Sequence, residues 1–134
     1  MIYLLDTNAI SDMMVRHANV VQQFKRHDAA GDIIGFCSPV AYELRRGLLW
    51  RNATQQLARL ENGIFSLLLH YPLTESDWEQ AASLWAGTRR RGKQLSEIDL
   101  LLAALAQRIN AVIVSNDTDF DALVVNREDW RDTP

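Results

Sequence analysis

The chain has 134 residues, of which 48% are hydrophobic and 23% are charged, and this length and composition predict one globular domain over residues 1–134. Its formal net charge is −3. This charge argues against a protein that holds nucleic acid through its overall charge, although it permits a local basic patch. A single cysteine excludes an internal disulfide. No stretch approaches the roughly 18 apolar residues of a membrane span, and no basic leader precedes the first apolar run. We therefore expect a cytoplasmic protein.

The first half of the chain alternates short apolar runs with helical patterns. Continuous apolar runs predict strands buried on both faces over residues 2–5 and 33–37. Asp6-Thr7-Asn8 offers helix-capping side chains, and Ser38-Pro39 is a strong signal for a helix start. We therefore predict helices over residues 9–15, 19–27, 40–49 and 52–63.

The second half continues this alternation. Ser96 caps a helical pattern that is apolar on every side, and the polar C-terminal residues carry Trp130 as an anchor for a docked tail. We predict strands over residues 65–71 and 111–115, helices over 75–91 and 98–109, and a tail over 127–134. Strands that alternate with helices predict an α/β fold with a mainly parallel sheet.

Acidic residues follow the first and the last predicted strand directly. Asp6 follows the first strand, and Asp117 and Asp119 follow the last. Ligands of α/β proteins bind at the carboxyl ends of the strands, so these acids are expected at one edge of the sheet. Each also has a purely structural interpretation, since Asp6 suits a helix cap and Asn116-Asp117 suits a tight turn.

Glu43 has no such capping interpretation, because it lies within a predicted helix. Positions spaced by three and four residues place Glu43 on the same helix face as Leu44 and Leu48, so we expect it to be buried. Neither Arg45 nor Arg46 is expected to share that face, although another arginine is an alternative partner for the carboxylate. Asp99 is also expected to point into the protein, because the helix that it begins is apolar, yet it equally suits a helix N-terminus.

Several converging carboxylates repel one another unless a cation lies among them, and ligands that are all oxygen suit Mg²⁺ or Mn²⁺. Such an ion supports hydrolysis of a phosphodiester. We expect Asp6 and Asp119 as the first ligands, Asp99 next and Asp117 as a further candidate, with Glu43 orienting or deprotonating the attacking water. Thr7, Ser115 and Asn116 offer hydroxyl and amide groups that would orient these carboxylates.

The strongest basic cluster precedes Asp99 in the sequence. Its members are Arg89, Arg90, Arg91 and Lys93, which either contact the phosphates of a nucleic acid or complement the dipole at a helix C-terminus. Arg45, Arg46 and Arg51 form a second candidate surface for such phosphates. Trp78 and Trp85 are spaced for one helix face and suit either the core or a dimer interface.

The chain resembles the PIN-domain family and, within it, the VapC-type toxins of bacterial toxin–antitoxin pairs. The resemblance is carried by Leu5-Asp6-Thr7-Asn8, the mid-chain Glu43, an Asp99-Leu-Leu-Leu-Ala-Ala segment and a final strand followed by Asp119-Phe120. It implies a Mg²⁺- or Mn²⁺-dependent endoribonuclease with a three-layer α/β/α fold. It also implies a homodimer and a small antitoxin whose tail enters the acidic cleft.

By the family pattern the catalytic residues are Asp6, Glu43, Asp99 and one of Asp117 and Asp119, of which Asp119 is ranked first. Two alternatives remain open at this point. The first is a PIN-like binding protein without nuclease activity, and the second is a ribonuclease that serves RNA maturation rather than growth arrest.

Overall fold

The protein, described here by a computed structural model over residues 1–132, contains one parallel sheet flanked by helices. Residues 133 and 134, the end of the predicted domain and tail, lie outside the described residues. The sheet order is β3-β2-β1-β4-β5, and all four neighbouring pairs are parallel. The strands are β1 (Ile2–Leu5), β2 (Ile33–Cys37), β3 (Leu69–Tyr71), β4 (Val112–Val114) and β5 (Asn126–Glu128). This arrangement confirms the predicted α/β/α fold.

Six α-helices connect the strands within residues 1–132, and the predicted helices are all present with shifted ends. They are α1 (Thr7–Met14), α2 (Ala18–Ala29), α3 (Ser38–Trp50), α4 (Thr54–Arg59), α5 (Glu75–Arg90) and α6 (Glu97–Ile109). Residues 100–106 of α6 are all buried, as its apolar composition predicted. No helix within residues 1–132 is long and apolar enough to cross a membrane.

The strand predicted over residues 65–71 is wrong in its first half. After α4 the chain forms a π-helical turn at Leu60–Ile64 and a 3₁₀ turn at Phe65–Leu67, and only Leu69–Tyr71 pairs with β2. Phe65 stacks on Phe36 of β2 with ring centroids 4.2 Å apart. A short apolar run predicts burial but does not distinguish a strand from a helical turn, and here packing of the Phe65 ring accompanies the helical turn.

The sequence did not predict strand β5. Its residues Asn126, Arg127 and Glu128 are polar because this strand forms the edge of the sheet, where burial is incomplete. The predicted docking of the following segment is correct for Trp130, which is only 2% exposed and stacks on His27 with ring centroids 5.2 Å apart. Arg131 then forms an ion pair with Asp12 of α1 at 2.7 Å.

The direction of strand addition reverses between β1 and β4. The chain builds β2 and β3 on one side of β1 and then returns to build β4 and β5 on the other. Leu5 and Val114 are register partners, and the Asp6 amide donates to the Val114 carbonyl at 3.1 Å. Such a switch point opens a crevice at the carboxyl ends of the two strands, so the fold brings Asp6 next to the segment that follows Val114.

Candidate active site

Asp6 is the best-buried acid at the switch point. It is 4% exposed and caps α1, because its Oδ1 accepts a hydrogen bond from the Ala9 amide at 2.8 Å. Burial raises the pKa of Asp6 to about 6, although hydrogen bonds from Ser115 and Ala9 lower it and the charge of Asp117 raises it further. The capping role and a role as a ligand are compatible, since one carboxylate accepts several bonds.

The segment after β4 folds into a chain of local hydrogen bonds. Ser115 is buried, and its Oγ accepts from the Asp117 amide at 2.9 Å. Asp117 is half-buried, and its Oδ1 accepts from the Asp119 amide at 2.9 Å. Asp119 is exposed and lines a separate depression with Lys93. Of the two acids, Asp117 is therefore the one that acts on Asp6.

Asp99 lies in the first turn of α6, where Ser96 Oγ accepts a hydrogen bond from the Asp99 amide at 3.1 Å. Burial raises the pKa of Asp99 to about 6; a hydrogen bond with Ser96 lowers it, and the charges of Asp117, Asp6 and Glu43 raise it. Four carboxylates from β1, α3, α6 and the turn after β4 thus belong to one electrostatic group, here called the acidic group: Asp6, Glu43, Asp99 and Asp117.

Glu43 is less buried than predicted. Its side chain is 29% exposed, and its Oε2 lies 3.6 Å from Arg46 Nη2. The expectation that Arg46 faces elsewhere is wrong, because residues three apart on a helix are surface neighbours. The carboxylate therefore lies at the edge of the cleft, with Arg46 on one side and the other acids on the other.

Direct ion pairs compensate other buried acids, whereas Asp6 and Asp117 interact with Arg131 and Arg127 only at longer range. Asp77 is paired with Arg108 and Asp12 with Arg131, each at 2.7 Å. Within residues 1–132 no lysine or arginine forms an ion pair with Asp6, Asp99 or Asp117. Buried like charges without a counter-ion favour either protonation or a bound cation.

The donor chemistry fits Mg²⁺ or Mn²⁺, because the acidic group offers only oxygen atoms. Among residues 1–132, however, no three His, Cys, Asp or Glu side chains are arranged to enclose a metal ion. Mg²⁺ usually keeps several waters and takes only one or two protein carboxylates, so an open arrangement of this kind suits a largely hydrated ion.

Thr7, Ser115 and Asn116, the residues predicted to orient the carboxylates, have the following contacts. Thr7 and Glu43 line the same pocket, and Ser115 hydrogen-bonds Asp6. Asn116 Oδ1 accepts from Asn8 Nδ2 at 3.4 Å, which links α1 to the turn after β4. Asn8 was predicted only as a possible helix cap, but Asp6 is the cap of α1 and Asn8 contacts Asn116 instead.

Arg127 has a supporting role that the sequence did not indicate. Its Nη1 donates to the Ser115 carbonyl at 3.1 Å, while Nε and Nη2 bind the carboxylate of Asp121. Arg127 lies on β5, the strand that was not predicted, so no sequence signal connected it to Ser115.

The basic cluster over residues 89–93 is exposed, and its side chains point to two places: Arg89 lies against α5, whereas Arg91 and Lys93 lie near the segment that follows β4. The Arg89 guanidinium lies 4.4 Å from the centre of the Trp85 ring, and Arg91 Nη2 donates to the Ala122 carbonyl at 3.0 Å. Lys93 lines the depression that contains Asp119. Arg90 is exposed on the last turn of α5. The contact of these side chains with RNA stays a prediction.

Comparison with known proteins gives a consistent result. The family model of the PIN domain matches residues 3–125. The chain is 40% identical over 91 residues to ribonuclease VapC11 of Mycobacterium tuberculosis and to VapC ribonuclease Mb1587 of Mycobacterium bovis. That alignment covers 67% of this chain and 66% of each relative, just under two thirds of the relatives' own length.

Solved structures share the fold at lower sequence identity. VapBC2 from Rickettsia felis, bound to a promoter DNA fragment, has a TM-score of 0.87 and 24% identity over 97% of this chain and 99% of that chain. DNA-bound VapBC from Salmonella typhimurium has a TM-score of 0.86 and 22% identity over 97% and 98% of the two chains. These likenesses establish the fold.

Proposed function

The chain belongs to the PIN-domain family, and we propose that it is a divalent-metal-dependent endoribonuclease that acts in the cytoplasm as the toxin of a toxin–antitoxin pair. The observation that carries this proposal is the acidic group at the switch point, whose three inner carboxylates have no ion-pair partner within residues 1–132. The similarity to proteins named VapC ribonucleases supports RNA as the substrate.

Asp6, Asp99 and Asp117 are the proposed ligands. A bound Mg²⁺ or Mn²⁺ would supply positive charge to the phosphate oxygens of the scissile bond and would acidify a nearby water. Asp117 is preferred here to Asp119 because its charge acts on both Asp6 and Asp99. Asp119 is kept as the alternative ligand. Its amide is hydrogen-bonded to Asp117, so a small change in this turn would redirect the Asp119 carboxylate towards the acidic group.

Glu43 is the proposed base. Its position at the edge of the cleft lets the carboxylate accept a proton from the attacking water, and Arg46 restrains the side chain at 3.6 Å. Ser115 orients Asp6 through a hydrogen bond, and Asn116 and Thr7 are proposed to fix the neighbouring backbone and the cleft wall. Arg89, Arg90, Arg91 and Lys93 are proposed to attract the RNA backbone.

Two protein partners belong to the proposal. Likeness in fold to proteins solved as VapBC complexes supports an antitoxin partner.

Self-association is proposed through the groove of about 360 Å³ between α5 and α6, where Trp78 and Trp85 are 54% and 42% exposed. The sequence left the core and a dimer interface open for these tryptophans, and their exposure excludes the core. Trp78→Ser is expected to convert a dimer to a monomer in light scattering, whereas an unchanged mass would contradict this surface.

The decisive experiment is cleavage of total RNA by pure protein with Mg²⁺ or Mn²⁺, followed by mapping of the new ends. Asp6→Asn is expected to abolish cleavage, because the ligand at the centre of the acidic group loses its charge. Asp28→Asn is the matched control, since Asp28 is exposed on α2. Cleavage that persists in Asp6→Asn or in excess chelator would overturn the metal mechanism. Pure protein that cleaves no RNA under either ion would favour a non-catalytic binding protein.

A further inference from the structure

A second pocket of about 270 Å³ opens beside the acidic group, between α1, α3 and α4. Its polar lining consists of Thr7, Ser11, Glu43, Arg51, Gln56 and Arg59. Thr7 directly follows Asp6, and Glu43 is itself a member of the acidic group, so the pocket and the acidic group share one edge. The rest of the lining is apolar and includes Met14, Val15, Leu44 and Leu48. The small volume suits a ligand the size of one phosphate with its sugar, with the polar residues on its charged groups and the apolar residues against the sugar ring.

The two arginines of this pocket differ from those that are bound by a carboxylate. Arg45, Arg108 and Arg131 are each bound by a carboxylate, namely those of Glu61, Asp77 and Asp12. Within residues 1–132, neither Arg51 nor Arg59 forms an ion pair. Glu43, the one acid among the lining residues that the structure describes, lies 3.6 Å from Arg46 and forms no ion pair with either Arg51 or Arg59. Two guanidinium groups in one pocket without a bound carboxylate favour an anion, and phosphate is an anion that arginine binds in a planar, two-point geometry.

Local structure places both arginines at the pocket. Arg59 Nη2 donates to the Met14 carbonyl at 2.6 Å, which fixes its guanidinium against the end of α1. Arg51 lies over Gly47, where a Cβ atom would be 3.7 Å from Arg51 Nη1, an ordinary van der Waals distance. The Arg51 guanidinium therefore lies beside Gly47 on the α3 side of the pocket. Of the second candidate surface in the sequence, Arg51 lines this pocket, whereas Arg45 pairs with Glu61.

We propose that this pocket binds the phosphate and ribose of a nucleotide next to the scissile phosphodiester, with Arg51 and Arg59 as the phosphate ligands. Gln56 and Ser11 offer hydrogen-bonding groups for ribose hydroxyls, which distinguish RNA from DNA. An RNA strand whose scissile phosphate lies at the acidic group necessarily places its neighbouring phosphate one nucleotide away. The shared edge at Thr7 and Glu43 makes this pocket the adjacent place for it, so the inference rests on, and extends, the proposed function.

Arg51→Ala tests the inference better than a change at Arg59, because Arg59 also holds the Met14 carbonyl. Arg51 is exposed and has no such bond among residues 1–132, so its loss is expected to leave the fold intact. In cleavage assays Arg51→Ala is expected to raise KM about tenfold with a smaller change in kcat. Arg51→Lys, which keeps the charge, is expected to recover part of the loss. Arg26→Ala, an exposed arginine on α2, is the matched control and is expected to behave as wild type.

Binding measurements test the pocket without cleavage. Single-stranded RNA bound to the Asp6→Asn protein is titrated with salt, with and without Arg51→Ala. The slope of log K against log salt is expected to become less negative by about 0.7 when one phosphate contact is lost. If wild type cleaves no RNA, the proposed reaction fails while this measurement still decides on the pocket. An unchanged affinity and slope would overturn the inference.

A substrate with one neutral methylphosphonate linkage identifies the phosphate that is bound. Placed next to the mapped cleavage site, on either side in turn, it is expected to weaken wild-type binding as much as Arg51→Ala does. The same linkage is expected to have little further effect on Arg51→Ala, because that variant has already lost the contact. Fully additive losses at both positions would contradict the assignment. The assignment would also be contradicted if Arg51→Ala bound RNA normally but no longer bound an antitoxin, because the ligand of the pocket would then be an acidic peptide.

Discussion

The Asp6 amide donates a hydrogen bond to the Val114 carbonyl, and this single bond joins the ends of the two strands between which the sheet changes direction. Leu5 and Val114 are the last register partners of β1 and β4, so the residues that follow them leave the sheet at the same point. Asp6 and Asp117 meet because of this pairing rather than because of any local signal.

Burial of Asp6 predicts that metal-free protein is less stable at neutral pH than at pH 4.5. The folded-state pKa of about 6 lies above the ordinary value of 3.8, so between these values the folded protein binds a proton that the unfolded chain releases. The free energy of unfolding should therefore fall as pH rises from about 4 to 6, by about 3 kcal/mol for this carboxyl alone.

Urea denaturation in chelator at several pH values measures this fall. Asp6→Asn is expected to reduce it and to leave the part that comes from Asp99, whose pKa is also raised to about 6. Added Mg²⁺ is expected to restore stability at pH 7 in wild type but much less in the variant. Equal effects of Mg²⁺ on both proteins would mean that Asp6 does not contact the ion.

Glu43→Gln is expected to lower cleavage by at least about 10²-fold while the protein keeps its unfolding midpoint, because the proposed base is lost but the side chain keeps its size. Circular dichroism and urea denaturation check the fold, and initial cleavage rates check the activity. Arg46→Ala removes the neighbouring charge at 3.6 Å and is expected to have a smaller effect. Full activity of Glu43→Gln would remove Glu43 from the mechanism.

Arg108→Ala is expected to lower the free energy of unfolding by about 3 kcal/mol, because it leaves a buried carboxylate without its counter-ion. Asp77 is 1% exposed and receives two hydrogen bonds from Arg108, at 2.7 and 3.0 Å, besides one from the Thr74 amide. The control is Arg90→Ala at an exposed position of the same helix as Asp77. A loss in Arg108→Ala no larger than in the control would contradict the assigned burial.

Gly35→Ala and Gly87→Ala are expected to change stability in opposite directions. A Cβ atom at Gly35 would lie 2.5 Å from the Leu69 carbonyl oxygen and 2.7 Å from the Tyr71 ring, so strands β2 and β3 would have to separate. We expect a loss of about 1–3 kcal/mol. Gly87 lies within α5 with no atom within 4 Å, so alanine there is expected to stabilise by roughly 0.5–1 kcal/mol. Thermal denaturation compares the two.

Cys37 is expected to resist thiol reagents in the folded protein. It is fully buried at the end of β2, and burial raises the pKa of its thiol to about 12, so almost no thiolate exists at pH 8. Modification by iodoacetamide should be slow in buffer and rapid in concentrated urea. Rapid modification without denaturant would show that the end of β2 opens locally.

Strand-end acids and the apolar α6 were predictable from the sequence because each depends on neighbours in the chain. Asp6 and Asp99 were named from the element that each begins, and both are substantially buried. The Glu43–Arg46 contact was predictable as well, since their spacing alone makes them neighbours.

The parts that were missed depend on packing between distant elements. Strand β5 has no apolar run because it lies at the edge of the sheet, and Arg127 reaches Ser115 only through that strand. The Arg51 pocket needs α1, α3 and α4 together, so no window of sequence contains it. The hydrogen bonds of the turn that holds Asp117 and Asp119 are local, but which of the two acids acts on Asp6 depends on how that turn packs against the end of β1.

The position of β4 beside β1 has a consequence for synthesis of the chain on the ribosome. Asp6 precedes β2 and β3 in the chain, whereas β4, the strand that pairs with β1 on its other side, follows them. A nascent polypeptide that still lacks β4 also lacks Asp117, so its acidic group is incomplete. The enzyme we propose would therefore acquire the capacity to damage RNA only after β4 and the turn that follows it have been translated.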